Sequence, residues 1–226
     1  AALLDRKTAA IDALLAAKER QIELLQEKRQ ALISQAVTKG LDPNAPMKDS
    51  GVEWIGMTPR HWNVLALKHS VNEIIDCKNR TPDYVEDGTF AVVRTSNIRG
   101  GAFVEDDLLF TNEHQYREWT RRGVPRPGDI VFTREAPAGE ACLLPERPPV
   151  CLGQRVMLFR MDPRRNDRDF MLYSVYGPQV QEAIKATTQG STVAHLRIDQ
   201  VRDLRFPIPP LDEQRQIGEH LRSRCS

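Results

Sequence analysis

Four polar loops carry side chains suited to hydrogen bonding with nucleic acid. The first, residues 94–101, offers two arginines, an asparagine and two hydroxyls before a pair of glycines. Arginine can bond the edge of guanine twice and asparagine the edge of adenine, whereas serine and threonine suit phosphates. The other loops are residues 78–81, residues 133–140, and residues 189–192 with His195. The candidate contacts to DNA are Lys78, Arg80, Arg94, Thr95, Ser96, Asn97, Arg99, Arg134, Gln189, Ser191, Thr192 and His195.

Each loop taken singly is better explained as an ordinary solvent-exposed loop, because polar loops are usual on protein surfaces. Charge adds modest support: residues 121–205 carry 14 basic and 10 acidic side chains, and nearly all of the bases are arginine. The net charge of the chain is only +1, well short of a strongly basic domain. Four such loops together favour DNA recognition more than any one of them does.

The sequence lacks the motifs of common catalytic and cofactor sites. It contains no G-x-G-x-x-G, P-loop, H-E-x-x-H or G-x-S-x-G motif, and no N-P-P-[YF] element typical of adenine methyltransferases. The histidines are scattered, and Cys77, Cys142, Cys151 and Cys225 form no C-x-x-C pair. We therefore expect a non-catalytic protein with no metal ion and no cofactor.

Asp129 and Glu135 suggest an alternative, a metal-dependent nuclease, because such enzymes hold metal ions through carboxylates. No lysine follows Glu135 at the usual offset, however, and residues 127–129 (Pro-Gly-Asp) indicate a turn that enters a strand. Magnesium-dependent cleavage by the isolated chain would support the nuclease.

The N-terminal segment predicts a long helix, which must hold the four loops in position. Gly and Pro are absent from residues 3–39, and 35 helical residues extend roughly 52 Å. A heptad seam repeats through this segment, and its apolar members are Leu4, Ile11, Leu15, Ile22, Leu25 and Leu32. A seam shifted to Leu14, Leu24 and Ile33 is an equally good interpretation. Under either one the apolar stripe needs a partner, from a second chain or from a missing part of this one.

Turn signals and apolar runs divide the rest of the 226 residues. The helix is expected to end at Gly40, followed by a turn-rich connector pinned by Trp54, Ile55 and Trp62. Strands are predicted at residues 64–67, 90–95, 130–134, 150–151, 156–160 and 204–208, and helices at 112–121, 169–184, near Asp199 and at 211–224. The fold class is α+β, a strand-rich mixed globular domain attached to a coiled-coil spacer helix. No apolar run reaches the roughly 20 residues of a membrane span and no signal peptide is visible, so we expect a cytoplasmic protein.

Two motifs resemble a known family. Residues 33–43 (ISQAVTKGLDP), continuing through 47–56 (MKDSGVEWIG) to 59–62 (PRHW), resemble the central region of the specificity subunits of Type I restriction-modification systems. Residues 207–217 (PIPPLDEQRQI) are similar to the P-P-L-x-E-Q-x-x-I motif that starts each spacer helix in that family. The part between them corresponds to a target recognition domain.

The resemblance implies a division of labour. Family members carry two recognition domains, each of which reads one half of a bipartite double-stranded DNA site, while modification (methyltransferase) and restriction subunits perform the chemistry. The expected domains here are residues 1–40 (spacer helix), 41–62 (connector), 63–206 (target recognition domain) and 207–226 (start of a second spacer helix). With one recognition domain, the chain is expected to be a C-terminal half or a half-subunit, and a half-subunit would pair as a homodimer through its helix. The main alternative is a coiled-coil adaptor whose globular head binds a protein.

Overall fold

The computed structural model describes residues 2–188 and 194–225. Its first element is helix α1, Ala2–Lys39, about 57 Å long at the usual rise. The helix ends at Gly40, whose φ of +76° favours glycine and whose N–H donates to Ala36 O at 3.1 Å. The predicted long helix and its end are confirmed.

Burial divides α1 into two parts. Every side chain from residue 5 to residue 28 is exposed, including the apolar Ile11 at 58% and Leu25 at 57%. Ile33, at 0% exposed, and Val37 are instead buried against the globular domain. Neither predicted seam is therefore covered along this outer part by any residue that the structure describes.

The connector contains a short hairpin that the sequence did not predict. Strands β1, Met47–Asp49, and β2, Met57–Pro59, pair in antiparallel fashion. Trp62 and Ile55 are buried as expected. Trp54 is half exposed, so the expectation that it pins the connector is wrong. Its place in the turn between the two strands leaves it directed away from the core.

Eleven further strands lie within the described residues. They are β3 Asn63–Ala66, β4 Glu73–Asp76, β5 Phe90–Val93, β6 Ile98–Arg99, β7 Ala102–Phe103, β8 Leu109–Thr111, β9 Ile130–Thr133, β10 Ala141–Leu143, β11 Val150–Leu152, β12 Val156–Arg160 and β13 Arg205–Ile208. The predicted strands are present to within two residues of their expected bounds. Most strands that the sequence missed have two or three residues, too few to show alternation. β4 is as long as β9, but Glu73 and Asp76 leave it only two apolar residues.

Two sheets organise the domain. The larger one is antiparallel with the order β10-β9-β12-β4, and the smaller one has the order β11-β5-β8, with β11 parallel to β5. Phe132 and Phe159 stack on one face of the larger sheet at 5.5 Å between ring centroids. Val131 and Leu158 lie on its other face and pack toward the smaller sheet. Because both faces are covered, β9 and β12 are buried along their whole length.

The remaining helices are α2 Leu67–Ser70, α3 Glu113–Trp119, α4 Arg168–Val175, α5 Pro178–Thr188, α6 Ile198–Asp203 and α7 Leu211–Cys225. The single helix predicted over residues 169–184 is wrong, because it is two helices that break at Gly177. Pro178 begins α5 and has no N–H to continue the hydrogen bonds of α4. Among the described residues no helix is long and apolar enough to cross a membrane.

Candidate nucleic-acid interface

Three loops meet at one end of the globular domain because of how its strands pair. β5 and β11 are parallel, so the residues that follow them leave at the same edge, where Gly153 N donates to Val93 O at 2.8 Å. The loop after β9 joins them, since Arg134 N donates to Arg155 O at 2.9 Å. A cleft of about 330 Å³ at this end is lined by Thr81, Tyr84, Arg94, Thr95, Ser96, Gly153, Gln154 and Arg155.

The polar face is our name for the side chains that this end presents to solvent. Its members are Tyr84, Arg94, Ser96, Arg99, Gln154 and Arg155. Gly100 N donates to Glu140 Oε2 at 2.6 Å, which ties the end of the first loop to the loop after β9. A Cβ on Gly153 would lie only 2.8 Å from Val93 O, so this close approach needs glycine. The backbone therefore fixes Gln154 beside Arg94.

Arg94 is half-buried, and one of its hydrogen-bond donors has no acceptor. One terminal nitrogen of its guanidinium, Nη2, donates to Asp107 O. Its Nε is buried and has no hydrogen-bond partner among the residues described. A buried donor without an acceptor is costly, so the site favours an incoming acceptor.

Asn97 is fully buried and organises its own loop. Its Oδ1 accepts from Arg94 N at 3.1 Å, and its Nδ2 donates to Val104 O and Asp106 O, both at 3.2 Å. Thr95 and Ser96 belong to the same 3-10 turn, in which Thr95 is half-buried and Ser96 is exposed. The structure thus gives Asn97 a role inside the loop and exposes Ser96 to solvent.

Arg134 also points inward, with a side chain only 8% exposed. Its Nη2 lies 3.6 Å from Asp76 Oδ1 and 3.9 Å from Cys77 Sγ. Burial, followed by the Asp76 carboxylate, raises the pKa of the Cys77 thiol, and the arginine only partly offsets this. In this arrangement Arg134 holds the loop to the sheet and its guanidinium lies away from solvent.

His195 is brought to the loop after β9 from a distant part of the chain. Its Nδ1 lies 2.8 Å from Glu135 Oε2, and Glu135 Oε1 lies 3.2 Å from Arg155 Nε. The backbone reinforces this contact, because Leu196 N donates to Arg134 O at 2.9 Å. An exposed histidine and a half-buried carboxylate therefore lie next to Arg155 of the polar face.

Lys78 and Arg80 form a separate cluster around Trp119. Lys78 Nζ lies 4.5 Å and Arg80 Cζ 5.0 Å from the centre of the indole ring. Both cations also contact Glu118, and the hydrogen bond from Lys78 is the main cause that lowers the pKa of this carboxyl. Arg80 remains two-thirds exposed.

Gln189, Ser191 and Thr192, also predicted as contacts, lie outside the described residues.

The two carboxylates of the nuclease alternative are not brought together. Asp129 precedes β9 and is buried in an ion pair with Arg160, at 2.9 Å between Oδ2 and Nη2. Glu135 follows the other end of the same strand, about 20 Å along an extended backbone. Within residues 2–188 and 194–225 no group of three His, Cys, Asp or Glu side chains has the geometry to hold a metal ion.

Sequence reasoning missed Tyr84, Gln154 and Arg155. Gln154 and Arg155 occupy the two-residue turn between Gly153 and β12. In the sequence this turn is only a break between two apolar runs. A glycine followed by two polar side chains between buried strands was the available signal. For Tyr84 no comparable signal exists, because it lies within a long loop, six residues before the predicted strand at residues 90–95.

The junction is a second group of residues, and it lies away from the polar face. We define it as Gly40, His61, Trp62, Glu213 and Gln214. His61 Nε2 lies 2.7 Å from Glu213 Oε2, and a Cβ on Gly40 would meet the Trp62 ring at 3.2 Å.

Gln214 is the best-satisfied side chain of the junction. Its buried Oε1 accepts from Asp167 N at 2.9 Å, and its Nε2 donates to Pro209 O and Arg165 O. The P-P-L-x-E-Q-x-x-I segment and the connector therefore meet to join α1, α7 and the globular domain.

The other end of the α1–α7 contact reaches the first loop. Arg29 donates from Nη2 to Gly100 O at 2.9 Å and from Nε to Cys225 O at 3.4 Å. Gly40 lies near Glu213 and Arg29 near Cys225, so α7 runs antiparallel to α1. The spacer helix is thus attached directly to the loop that carries Arg99.

Comparison with known proteins points to one family. A family model described as the type I restriction modification DNA specificity domain matches residues 63–223. Two curated relatives come from Methanocaldococcus jannaschii. The type I restriction enzyme MjaVIII specificity subunit is 24% identical over 94% of this chain and 50% of its own length. The putative type I restriction enzyme MjaX specificity subunit is 22% identical over 94% of this chain and 47% of its own length.

Solved structures agree on the fold. The HsdS subunit from Thermoanaerobacter tengcongensis aligns with a TM-score of 0.53 at 18% identity, over 96% of this chain and 48% of that one. A chain from a structure of the type I R-M system aligns with a TM-score of 0.58 at 18% identity, over 96% of this chain and 50% of that one. The chain spans about half the length of the curated relatives it matches. Because the family model covers most of its residues, the chain belongs to the family of type I restriction-modification DNA specificity domains.

Proposed function

We propose that the chain recognises a DNA sequence through the polar face and reads one half of a bipartite site. The observation that carries this proposal is the convergence of three loops that present arginines, a glutamine and hydroxyls to solvent, where they can bond base edges and phosphates. Asn97 and Arg134 then act by holding the loops in place. We propose Thr95 and His195 as further contacts, and Lys78 and Arg80 as contacts from their separate cluster. Gln189, Ser191 and Thr192 remain candidates from the sequence alone.

We further propose that α1 sets the distance between two half-sites. Its length of about 57 Å corresponds to about 17 base pairs of B-DNA at 3.4 Å each. The apolar stripe on residues 5–28 is exposed, so it offers a surface on which a second spacer helix can pack. A second copy of the chain would supply that helix and a second polar face related by two-fold symmetry. Modification and restriction subunits would assemble on this pair and perform the chemistry.

Selection of bound duplexes from a random pool tests both proposals. We expect a bipartite, palindromic site, with affinity that falls steeply as salt rises because phosphate contacts release counterions. Insertion of one heptad into the exposed part of α1 is expected to change the gap between the half-sites and leave their sequences unchanged. An unchanged gap contradicts the spacer role. Absence of any selected sequence, with salt-insensitive binding to a protein, would favour the coiled-coil adaptor instead.

A further inference from the structure

A cleft surrounded by arginines lies at the end of the larger sheet opposite to the polar face. Its volume is about 470 Å³. β9 begins here and β12 ends here, whereas the polar face lies at the other ends of the same two strands. We name it the arginine cleft and define it by Arg126, Asn166, Arg168 and Arg215, which come from the turn before β9, the loop before α4, and helices α4 and α7.

The charge of Arg160, on the floor of the arginine cleft, is already neutralised by carboxylates of the domain. Its Nη2 lies 2.9 Å from Asp129 Oδ2 and its Nη1 lies 2.6 Å from Glu73 Oε2. Arg126 and Arg168 differ from it. Both are exposed, and the described residues give their side chains no hydrogen bond or ion pair, although Arg168 interacts electrostatically with Asp169. Arg215 is paired with Asp212, and the one further carboxylate of the lining, Asp167, accepts from Phe170 N. The guanidinium groups of Arg126 and Arg168 therefore keep hydrogen-bond donors for a ligand.

Asn166 contributes a hydrogen-bond acceptor that has no donor. The residue is only 5% exposed, and its Oδ1 is buried without a hydrogen-bond partner among the described residues. A buried carbonyl oxygen normally has a donor, so this atom favours an incoming N–H or O–H group. The lining of the cleft thus includes two arginines with unused hydrogen-bond donors and one acceptor without a donor.

We propose that the arginine cleft binds an acidic segment of a protein partner. Aspartate or glutamate side chains of that segment pair with Arg126 and Arg168, because the planar guanidinium matches a carboxylate with two parallel hydrogen bonds. A backbone N–H of the same segment donates to Asn166 Oδ1. A polypeptide supplies both the anion and the donor.

Nucleic acid fits the arginine cleft less well than a peptide does. A phosphate backbone offers acceptors and no charge-neutral N–H beside them, so Asn166 Oδ1 would stay unpaired. The cleft also lies at the far ends of β9 and β12 from the loops of the polar face. The proposal is independent of DNA recognition, and each can fail without the other.

The test uses the whole chain and a fluorescein-labelled peptide of alternating glycine and aspartate. Fluorescence anisotropy at low salt is expected to show binding, and the same peptide with asparagine in place of aspartate is expected not to bind. Arg126→Gln and Arg168→Gln should each weaken binding by about threefold to tenfold, as for a charge-assisted hydrogen bond. Arg121→Gln, an exposed arginine outside the cleft, is the matched control and should leave binding unchanged.

A further variant tests the uncharged acceptor, Asn166 Oδ1. Asn166→Leu keeps the branched shape of the side chain and removes Oδ1, so it should weaken peptide binding while thermal unfolding remains cooperative. Equal binding by the wild type and both arginine variants would overturn the proposal. So would weaker binding of a random DNA duplex by Arg126→Gln and Arg168→Gln with the peptide unaffected, because the cleft would then be a phosphate contact. If Asn166→Leu fails to fold, the exposed arginine variants still decide the question.

Discussion

The junction and the polar face use polar side chains in opposite ways. At the junction, Gln214 is buried and both ends of its amide are hydrogen-bonded to backbone within the chain. On the polar face, Gln154 is exposed and Arg94 keeps a buried Nε without an acceptor. The family motif falls on the junction, so it marks how a spacer helix is fastened to the domain. Under the proposed function, the side chains that the polar face presents to solvent are the ones that distinguish one DNA sequence from another.

The largest effect is expected from Trp62→Ala at the junction. Trp62 is fully buried and meets Phe170 edge to face at 6.5 Å, so its removal should lower the free energy of unfolding by about 3–5 kcal/mol. Urea denaturation measures this loss. Trp54→Ala is the control, since the half-exposed Trp54 should change stability by less than about 0.5 kcal/mol. Equal losses from both variants would show that the connector is not anchored as described.

Gln214→Leu should have a smaller effect of the same kind. The leucine fills a similar volume but leaves Asp167 N and two carbonyls without their partner, at a cost of about 1–3 kcal/mol. Gln216→Leu, on the exposed side of the same helix, is the matched control and should be nearly neutral. Thermal unfolding of the two variants side by side distinguishes them. If Gln214→Leu leaves the stability unchanged, the hydrogen bonds of Gln214 do not contribute to fastening the motif.

On the polar face we expect loss of binding without loss of stability. Gln154→Ala should weaken binding to the selected duplex by about 1–3 kcal/mol and relax the preference at one base pair, while the unfolding midpoint stays unchanged. Electrophoretic mobility shifts at moderate salt measure the first effect and repeated selection the second. Gln216→Ala serves as the control on a surface far from the loops. Unchanged affinity and unchanged preference would exclude Gln154 from the interface.

How far the sequence could predict this fold depended on the length of each element. The helix α1 and the strands β9 and β12 were predictable because each is a long or continuous apolar pattern that ends at a clear turn. Strands such as β6 and β10 have only two or three residues. Tertiary pairing creates such strands, and local propensity hardly marks them.

The candidate site was predictable in its loops and not in its individual side chains. Ser96 and Arg99 are exposed, as the loop pattern suggested, and Arg94 is half-buried. Asn97 is not exposed, because Val104 and Asp106 supply carbonyls that only the folded chain brings near. Polar side chains that satisfy buried backbone look the same in sequence as those that face solvent.

The smallest effect on stability, and the sharpest distinction between the two seams, is expected on α1. Leu15→Ser with Ile22→Ser alters only exposed positions, so the free energy of unfolding of the globular domain should change by less than about 0.5 kcal/mol. The dissociation constant of the proposed homodimer should rise, because both side chains lie on the stripe centred on Ile11, Leu15, Ile22 and Leu25. Analytical ultracentrifugation measures it. Leu24→Ser belongs to the shifted seam and is expected to leave association unchanged. If Leu24→Ser weakens the dimer instead, the shifted seam is the one that pairs, and if neither variant does, α1 does not pair with its own copy.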